Sequence, residues 1–492
     1  MKKPLVDNQK VFNPLFWLSG TLVIGALMRF YHSTSISLWH DEAFSALYLR
    51  YSWGEMMHRI SLDVHPPLYY WLLRLWTGVF DDGLFAMRAM SILFGILTIY
   101  FTYLFVKHAF SNEKVAVLAA FFVAINPFQI QYGWEARMYT LGTFLLMLSS
   151  YLLVKALKDN KTRHWILYAL AIALSLYTHY FLFFSVAAHG LYFVYHCFKT
   201  KNWHFKGWLS FLVGGVLFIP WLPTLIQQIT RVSDNYWIQG PNAWAVASTF
   251  WTMYFGGYGT DHLTLGIFAP VALVILVFFI RRVQPPMRWL IVLSVIVPVI
   301  GALLVSFMQS IYLDRYFYFA SLFFSIMLAC LLFNVPKYTT RRTLATIFAI
   351  VSIAVFFKNW KDLDVNNRPG MRAAAEYINE RANSDDKIYV GLSAVYFTFK
   401  YYNQTPIHPL LFSTSPFEKI PHFSGTAILN ADDIILDFKQ TEKDDTVWLL
   451  WTDGFYGTKP NVPGNWQKIN EQEFRDTPWF KGTIYVTSYH VD

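Results

Sequence analysis

About eleven stretches of roughly 20 mostly apolar residues recur through the first 357 positions of this chain, and that length is what an α-helix needs to cross the hydrocarbon core of a bilayer. They lie at residues 14–30, 84–107, 115–131, 138–157, 164–179, 181–198, 207–228, 262–281, 287–308, 315–334 and 341–357. No water reaches that core to satisfy backbone polar groups, so runs of this kind fold there as closed helices. Composition points the same way. The 492 residues are 55% hydrophobic, 19% aromatic and only 14% charged, with a mean hydropathy of +0.34, too apolar for an ordinary soluble protein. The expected fold is an α-helical polytopic membrane protein with about 11 transmembrane helices, followed by a small soluble domain.

The formal charge of +9 conceals a split. Residues 358–492 carry 14 Lys/Arg against 18 Asp/Glu, whereas the first 357 carry 26 against 13. The excess cations sit in short clusters between apolar runs rather than along one polar face, so nucleic acid is not an expected partner. Their placement instead orients the chain. Lys2, Lys3 and Lys10 precede the first run, and alternate connections then hold Lys107 and Lys114; Lys155, Lys158, Lys161 and Arg163; Lys199, Lys201 and Lys206; Arg281, Arg282 and Arg288; and Lys337, Arg341 and Arg342. The opposite short connections have little beyond Arg137 and Arg315. By the positive-inside rule the N-terminus is cytoplasmic and the C-terminal domain extracytoplasmic, in the plasma membrane if the cell is bacterial. The first run lacks an A-x-A-like cleavage site and reads as an uncleaved helix.

On this topology the long connections, residues 31–83 and 229–261, face outward. Amphipathic stretches rich in Trp and Tyr, Tyr69 to Trp76 and Trp244 to Tyr254, suit helices lying in the interface. From Lys358 the composition turns polar. Asn366, Asn367, Arg368, Pro369 and Gly370 read as a linker, Met371 to Arg381 as a helix, and Lys387 to Val390, Ala431 to Phe438, Thr446 to Trp451 and Gly482 to Ser488 as strands. The division expected is a membrane domain, 1–357, and an extracytoplasmic α/β domain, 358–492. Cys197 and Cys330 have neither metal nor redox spacing.

Chemistry concentrates on the outward side. Asp41 and Glu42 follow Ser37-Leu38-Trp39-His40 at the start of an interfacial helix. Such a pair can serve a helix as cap and dipole partner. In an aromatic loop at the membrane surface, however, partial burial moves a carboxylate toward the range of a general base. His65 precedes Pro66 and Pro67, which suit a helix first turn, and offers a donor where anions bind. Glu135 and Tyr139 share a helical face, and Arg137 is either half of a local ion pair or a planar partner for phosphate. Arg315, between Asp314 and Tyr316, either snorkels to the headgroups or binds an anion. Arg88 and His179 lie near the outer ends of their runs and line the same cavity. Carboxylates, arginines, histidines and aromatic rings beside lipid are what a lipid-phosphate substrate with a sugar head requires. No Walker loop, zinc motif or GxSxG elbow competes, and no cofactor or divalent metal is indicated.

At four places the chain resembles the family 39 type of polyprenyl-phosphate-sugar-dependent glycosyltransferases, with the GT-C fold, which include protein O-mannosyltransferases and the lipid A aminoarabinose transferase. These are Trp39-His40-Asp41-Glu42-Ala43, His65-Pro66-Pro67-Leu68-Tyr69-Tyr70, Glu135-Ala136-Arg137-Met138-Tyr139 and Asp314-Arg315-Tyr316. The resemblance implies an inverting transfer at the outer face from a polyprenyl-phosphate sugar to a lipid, glycan or protein acceptor. It implies Asp41 as general base with Glu42 as its catalytic helper, and Arg137 and Arg315 on the donor phosphate. His65, Arg88, Glu135, Tyr139, His179 and Tyr316 are the remaining expected contacts to substrate. His65 stands where some relatives carry a lysine, a departure from that family's phosphate-binding scheme. The rival class is a transporter or lipid flippase, which calls for midplane charges and an inverted repeat.

Overall fold

The computed structural model describes residues 12–31, 33–233, 237–256, 260–284, 286–363, 368–438, 441–476 and 482–492. Lys2, Lys3 and Lys10 of the basic N-terminus, and Asn366 and Asn367 of the expected linker, lie outside them.

Each of the apolar runs is helical. The first begins at Asn13, whose side chain accepts from the backbone N–H groups of Leu15 and Phe16 at 3.1 and 3.2 Å, with Pro14 in the first turn. Among the described residues, seven helices are long and apolar enough to cross a membrane by length and composition: Leu84–Phe110, Tyr139–Asp159, Phe205–Val232, His262–Arg282, Met287–Ser306, Asp314–Phe333 and Tyr338–Leu363. Pro14–Phe30 and Thr162–Leu176 are shorter apolar helices. The run at 115–131 is not one span of its own. Its helix, Glu113–Ala124, stops at Asn126, which caps a separate turn, Pro127–Gln131, because Pro127 cannot donate to the preceding turn. The runs at 164–179 and 181–198 are two helices, Thr162–Leu176 and Leu182–Thr200, joined by a turn at Tyr177–Phe181.

Close helix contacts and buried amides lock the bundle. Gly142 lies against Phe319, where an added Cβ would stand 2.5 Å from the ring. Asn126 donates to Met253 O and Ser325 Oγ, and Gln129 donates to Tyr318 O and Ser321 Oγ, at 2.7 to 3.1 Å. These bonds fix the Pro127–Gln131 turn, and the loop that follows it, against the helix Tyr318–Phe333.

The connection after the first helix folds into three short helices, His40–Tyr48, Trp53–Leu62 and Leu68–Phe80. The last buries Leu68, Tyr69, Tyr70 and Leu73 and exposes Leu75, Val79 and Phe80, the two-faced pattern of an interfacial helix. Ala245–Phe255 forms the corresponding helix of the second long connection.

The C-terminal unit is a six-stranded sheet of order β3-β2-β1-β4-β6-β5, with β1 Lys387–Val390, β2 Leu410–Phe412, β3 Ile434–Ile435, β4 Thr446–Thr452, β5 Trp466–Arg475 and β6 Thr483–Val491. β1 pairs in parallel with β2 and β4, and β2 with β3; β6 runs antiparallel to β4 and β5. The helices Gly370–Asn379 and Ser393–Tyr402 accompany it. Only Ile434–Ile435 of the expected strand at Ala431 to Phe438 joins the sheet, since Asn430 and Asp433 close a capping box over a single 3₁₀ turn before it.

This sheet unit rests on the helix that bears the acidic pair. Phe397 packs on Phe44 with ring centroids 4.8 Å apart, Ala394 O meets His40 Nδ1 at 3.2 Å, and Leu38 N donates to Tyr402 Oη at 2.8 Å. Arg59 donates to Ala427 O, Ile428 O and Asn430 Oδ1.

Candidate active site

The helix His40–Tyr48 starts without a side-chain cap, and its first turn carries Asp41 and Glu42, where negative charge meets the positive end of the helix dipole. Successive helical residues point about 100° apart, so the two carboxylates have separate surroundings.

Glu42 is fully buried. Its oxygens accept from Arg88 Nε at 2.9 Å, Arg88 Nη2 at 2.6 Å and the backbone N–H of Ala136 at 2.8 Å. Arg88 also donates to the carbonyls of Ser33, Ile36 and Ser37 and stacks 4.5 Å over the Trp134 ring. All five of its N–H groups are thereby committed to the protein. Arg88 thus spends its donors within the protein, and Glu42 is enclosed by Arg88 and the Ala136 N–H.

Asp41 keeps 20% of its side-chain surface and faces Arg315, 17% exposed, with Oδ2 3.1 Å from Nη1. Arg137 approaches from the other side; its Nη1 donates to Asp41 O at 2.9 Å and lies 3.3 Å from Tyr70 Oη and 3.4 Å from Ser45 Oγ. Burial alone raises the Asp41 pKa, but the guanidiniums of Arg315 and Arg137, joined by His40 and His65, outweigh it and hold the carboxyl below the ordinary aspartate value. Asp41 is therefore ionised at neutral pH. Arg315 sits in the 3₁₀ turn Asp314–Phe317, anchored where Asp314 accepts from Ser248 Oγ and Thr249 Oγ1 at 3.1 and 3.3 Å. Its guanidinium lies 5.5 to 5.9 Å from the rings of Trp39, Trp237 and Tyr316.

Glu135 belongs to the loop that follows the Pro127–Gln131 turn. It is 1% exposed, and among the described residues neither carboxyl oxygen has a hydrogen-bond partner. Burial, then the charge of Glu42, pushes its pKa well above the usual range, against the guanidinium of Arg315.

The remaining predicted residues form one aromatic wall. Tyr139 lies 5.4 Å from Tyr132 and 6.1 Å from His179; His179 in turn lies 5.2 Å from Tyr316 and 5.9 Å from His65. His179 Nδ1 accepts from Phe181 N at 3.1 Å, which places the ring proton on Nε2. That nitrogen is buried without a partner among the described residues. His65 Nδ1 stands 3.5 Å from Asp63 Oδ2.

Asp63, Tyr70 and Ser45 escaped the sequence reading as site residues. Asp63, two positions before His65, carried the one legible signal; Tyr70 and Ser45 matter only because Arg137 reaches them across the fold. Among the described residues, no three of His, Cys, Asp or Glu are grouped as they would be around a metal ion.

Apolar helices, two folded connections meeting at this cluster and a C-terminal sheet unit define the GT-C class of fold seen in polytopic membrane glycosyltransferases. The structure superposes on ArnT from Cupriavidus metallidurans in its apo state with a TM-score of 0.59 and 12% identity, covering 96% of this chain and 97% of that one. Against the same protein bound to undecaprenyl phosphate the TM-score is 0.56, with 12% identity and the same coverage. Residues 64–224 match the model of the dolichyl-phosphate-mannose-protein mannosyltransferase family, a stretch that includes His65, Glu135, Arg137, Tyr139 and His179. No curated protein matches the sequence significantly. The chain is thus a multi-pass membrane protein with the GT-C glycosyltransferase fold, and its residues 64–224 are similar to the mannosyltransferase family.

Proposed function

We propose that this protein transfers a sugar from a polyprenyl-phosphate-linked donor to a hydroxyl of a lipid, glycan or protein acceptor, at the extracytoplasmic face of the membrane. The observation that carries this reading is the placement of one ionised carboxylate, Asp41, between two guanidiniums, Arg315 and Arg137. The match to the mannosyltransferase family model and the likeness to ArnT, one of whose structures holds undecaprenyl phosphate, support the donor class. The basic residues on alternate connections support the outward placement of the site and of the 358–492 domain.

Asp41 takes the proton of the acceptor hydroxyl, whose oxygen attacks the anomeric carbon. The bond from that carbon to the phosphate oxygen breaks on the opposite face, with inversion, and the electron pair leaves on polyprenyl phosphate. Arg315 and Arg137 receive the charge that develops there. In the free protein Arg315 is the strongest of the cations holding Asp41 acidic. A donor phosphate competes for that guanidinium, so its arrival makes Asp41 a stronger base when the donor is in place. Glu42 and Arg88 act by positioning, clamping the catalytic helix to the helix Leu84–Phe110. Tyr139, Tyr316 and Trp39 offer ring faces for sugar and isoprene.

Purified protein in liposomes, given a panel of polyprenyl-phosphate monosaccharides and an extract of candidate acceptors, should release polyprenyl phosphate from at least one donor. The anomeric configuration of the product, read by NMR, should be opposite to that of the donor. A retained configuration would remove the single-displacement mechanism.

A further inference from the structure

Glu135 is a costly residue to keep. A buried carboxyl with no hydrogen-bond partner is destabilising, and native proteins rarely tolerate one without a use for it. Its neighbour in space makes the contrast plain. Glu42, equally buried, receives three N–H groups, so the fold here supplies donors to a carboxylate that is structural. Arg88, one of the cations that act on Glu135, is fully spent on Glu42 and three carbonyls.

Position adds the second observation. Of the tripeptide Glu135-Ala136-Arg137, the backbone of Ala136 grips Glu42 and the side chain of Arg137 grips Asp41 O. The third member thereby lies within the electrostatic reach of Arg315 and Asp41, the pair at which the proposed chemistry takes place. The charged and titratable groups facing it are Glu42 and Asp41 from the helix His40–Tyr48, Arg88 from Leu84–Phe110, Arg315 from the 3₁₀ turn, and the phenols of Tyr132 and Tyr318. Tyr132 contacts Tyr139, which contacts His179, whose Nε2–H is a second buried group without a partner.

We propose that Glu135, in its protonated form, reads a ring hydroxyl of the donor's sugar, so that the site takes an uncharged, hydroxyl-bearing monosaccharide in preference to an amino or acidic sugar. This rests on the donor class proposed above. A carboxylic acid presents one O–H donor and one carbonyl acceptor side by side, which matches a hydroxyl that both accepts and donates. Three carboxyl groups close together cannot all ionise, and Glu42 and Asp41 have the cations that let them do so. An acidic sugar meets the Asp41 carboxylate with like charge. A cationic amino sugar gains a carboxylate partner at Glu135 only after that side chain has released its proton to solvent, out of a site where burial and the charge of Glu42 favour the protonated form. The His179 Nε2–H supplies a further donor to a sugar oxygen.

The test compares Glu135→Gln and Glu135→Ala with wild type in liposomes. It measures release of polyprenyl phosphate from polyprenyl-phosphate mannose, from the glucose analogue and from an amino-pentose donor, binding of sugar-free polyprenyl phosphate, and the melting temperature of the ligand-free protein. Wild type is expected to favour an uncharged donor. Glu135→Ala should lose about tenfold or more in kcat/KM on it, the worth of one hydrogen bond to a sugar hydroxyl. Glu135→Gln, neutral and isosteric, should restore most of that loss. Sugar-free polyprenyl phosphate should bind all three alike, and both variants should melt no lower than wild type, because the carboxyl they remove is unsatisfied. A Gln variant as impaired as the Ala variant, a wild-type preference for the amino-pentose donor, or a fall in melting temperature matching the fall in rate would overturn the assignment. If wild type turns over its donor normally and Glu135→Ala does too, the assignment fails while the proposed function stands; release from no donor at all removes both.

Discussion

Asp41 and Arg315, one in the connection after the first apolar helix and the other at the start of the tenth apolar run, meet with Oδ2 3.1 Å from Nη1. Each remains partly accessible while almost everything around them is buried. An ion pair left open in this way can exchange one partner for a ligand, whereas the neighbouring Glu42–Arg88 pair, at 0% and 1% side-chain exposure, cannot. The contrast sets an open pair beside a closed one within one cluster of charged side chains.

Loss of Arg315 should change the pH dependence of turnover in a defined direction. The Asp41 pKa is depressed in the folded protein, with Arg315 the first of the cations responsible. The rate therefore stays on its plateau as pH falls until that depressed pKa is reached. In Arg315→Ala the acid limb should move to higher pH, and donor affinity should fall by about 10-fold or more for a lost charge-assisted contact. A pH–rate series on both proteins checks it; an acid limb unmoved by the substitution would mean that Arg315 does not act on Asp41.

Breaking the Glu42–Arg88 pair one partner at a time should destabilise the fold by about 3–5 kcal/mol, because the survivor is left as an unpaired buried charge. Arg88→Met should be the costlier form of this experiment, since three carbonyls lose their donor as well. The double variant Glu42→Gln, Arg88→Met should cost less than the sum of the singles, as a coupled pair requires. Melting curves in detergent read all three. Additive losses would show the two side chains to be energetically independent.

Asp63 gives a pH-dependent term of opposite visibility. Burial opposes its charge, but the hydrogen bond and positive charge of His65 hold its pKa at about 2, below the ordinary 3.8. A depressed acid stabilises the fold above its unfolded pKa, and that contribution disappears as pH falls through the folded value. Between pH of about 4 and 2 the wild type should lose about 2 kcal/mol that Asp63→Asn lacks throughout. Chemical denaturation at stepped pH measures the difference; parallel curves would deny Asp63 its role.

Seating of the C-terminal sheet on the catalytic helix is testable through Phe44 and Phe397, 4.8 Å apart. Truncating either to Ala should cost about 3 kcal/mol and lower turnover by shifting Asp41, and the pair should be non-additive. A sheet unit that contributes nothing to the site would leave turnover untouched.

How much of this was legible follows from the range of the forces involved. Helices such as Leu84–Phe110 and Met287–Ser306 announce themselves, since a run of apolar residues fills a bilayer without reference to the rest of the chain. The acidic pair and the residues Glu135, Arg137 and Arg315 could be picked out because charge is conspicuous against lipid. Their division of labour could not. Whether Asp41 or Glu42 reaches substrate depends on which one Arg88 and Ala136 N capture, and those contacts span distant parts of the chain. Asn126 and Pro127 mark a helix end inside the run at 115–131, yet the buried amide bonds that make the interruption tolerable come from Met253 and Ser325. In the sheet, β2 is three residues long and β5 is an edge strand with most side chains exposed, so neither shows the apolar alternation by which β1, β4 and β6 were read.

The most direct test of the Asp41 assignment is release of polyprenyl phosphate from the preferred donor by wild type and Asp41→Asn, side by side in the same liposomes, with melting temperatures recorded for both. The expected result is unchanged melting with a fall of about 10²–10⁴ in rate, the usual worth of a general base. Near-normal release by a folded Asp41→Asn protein would contradict it.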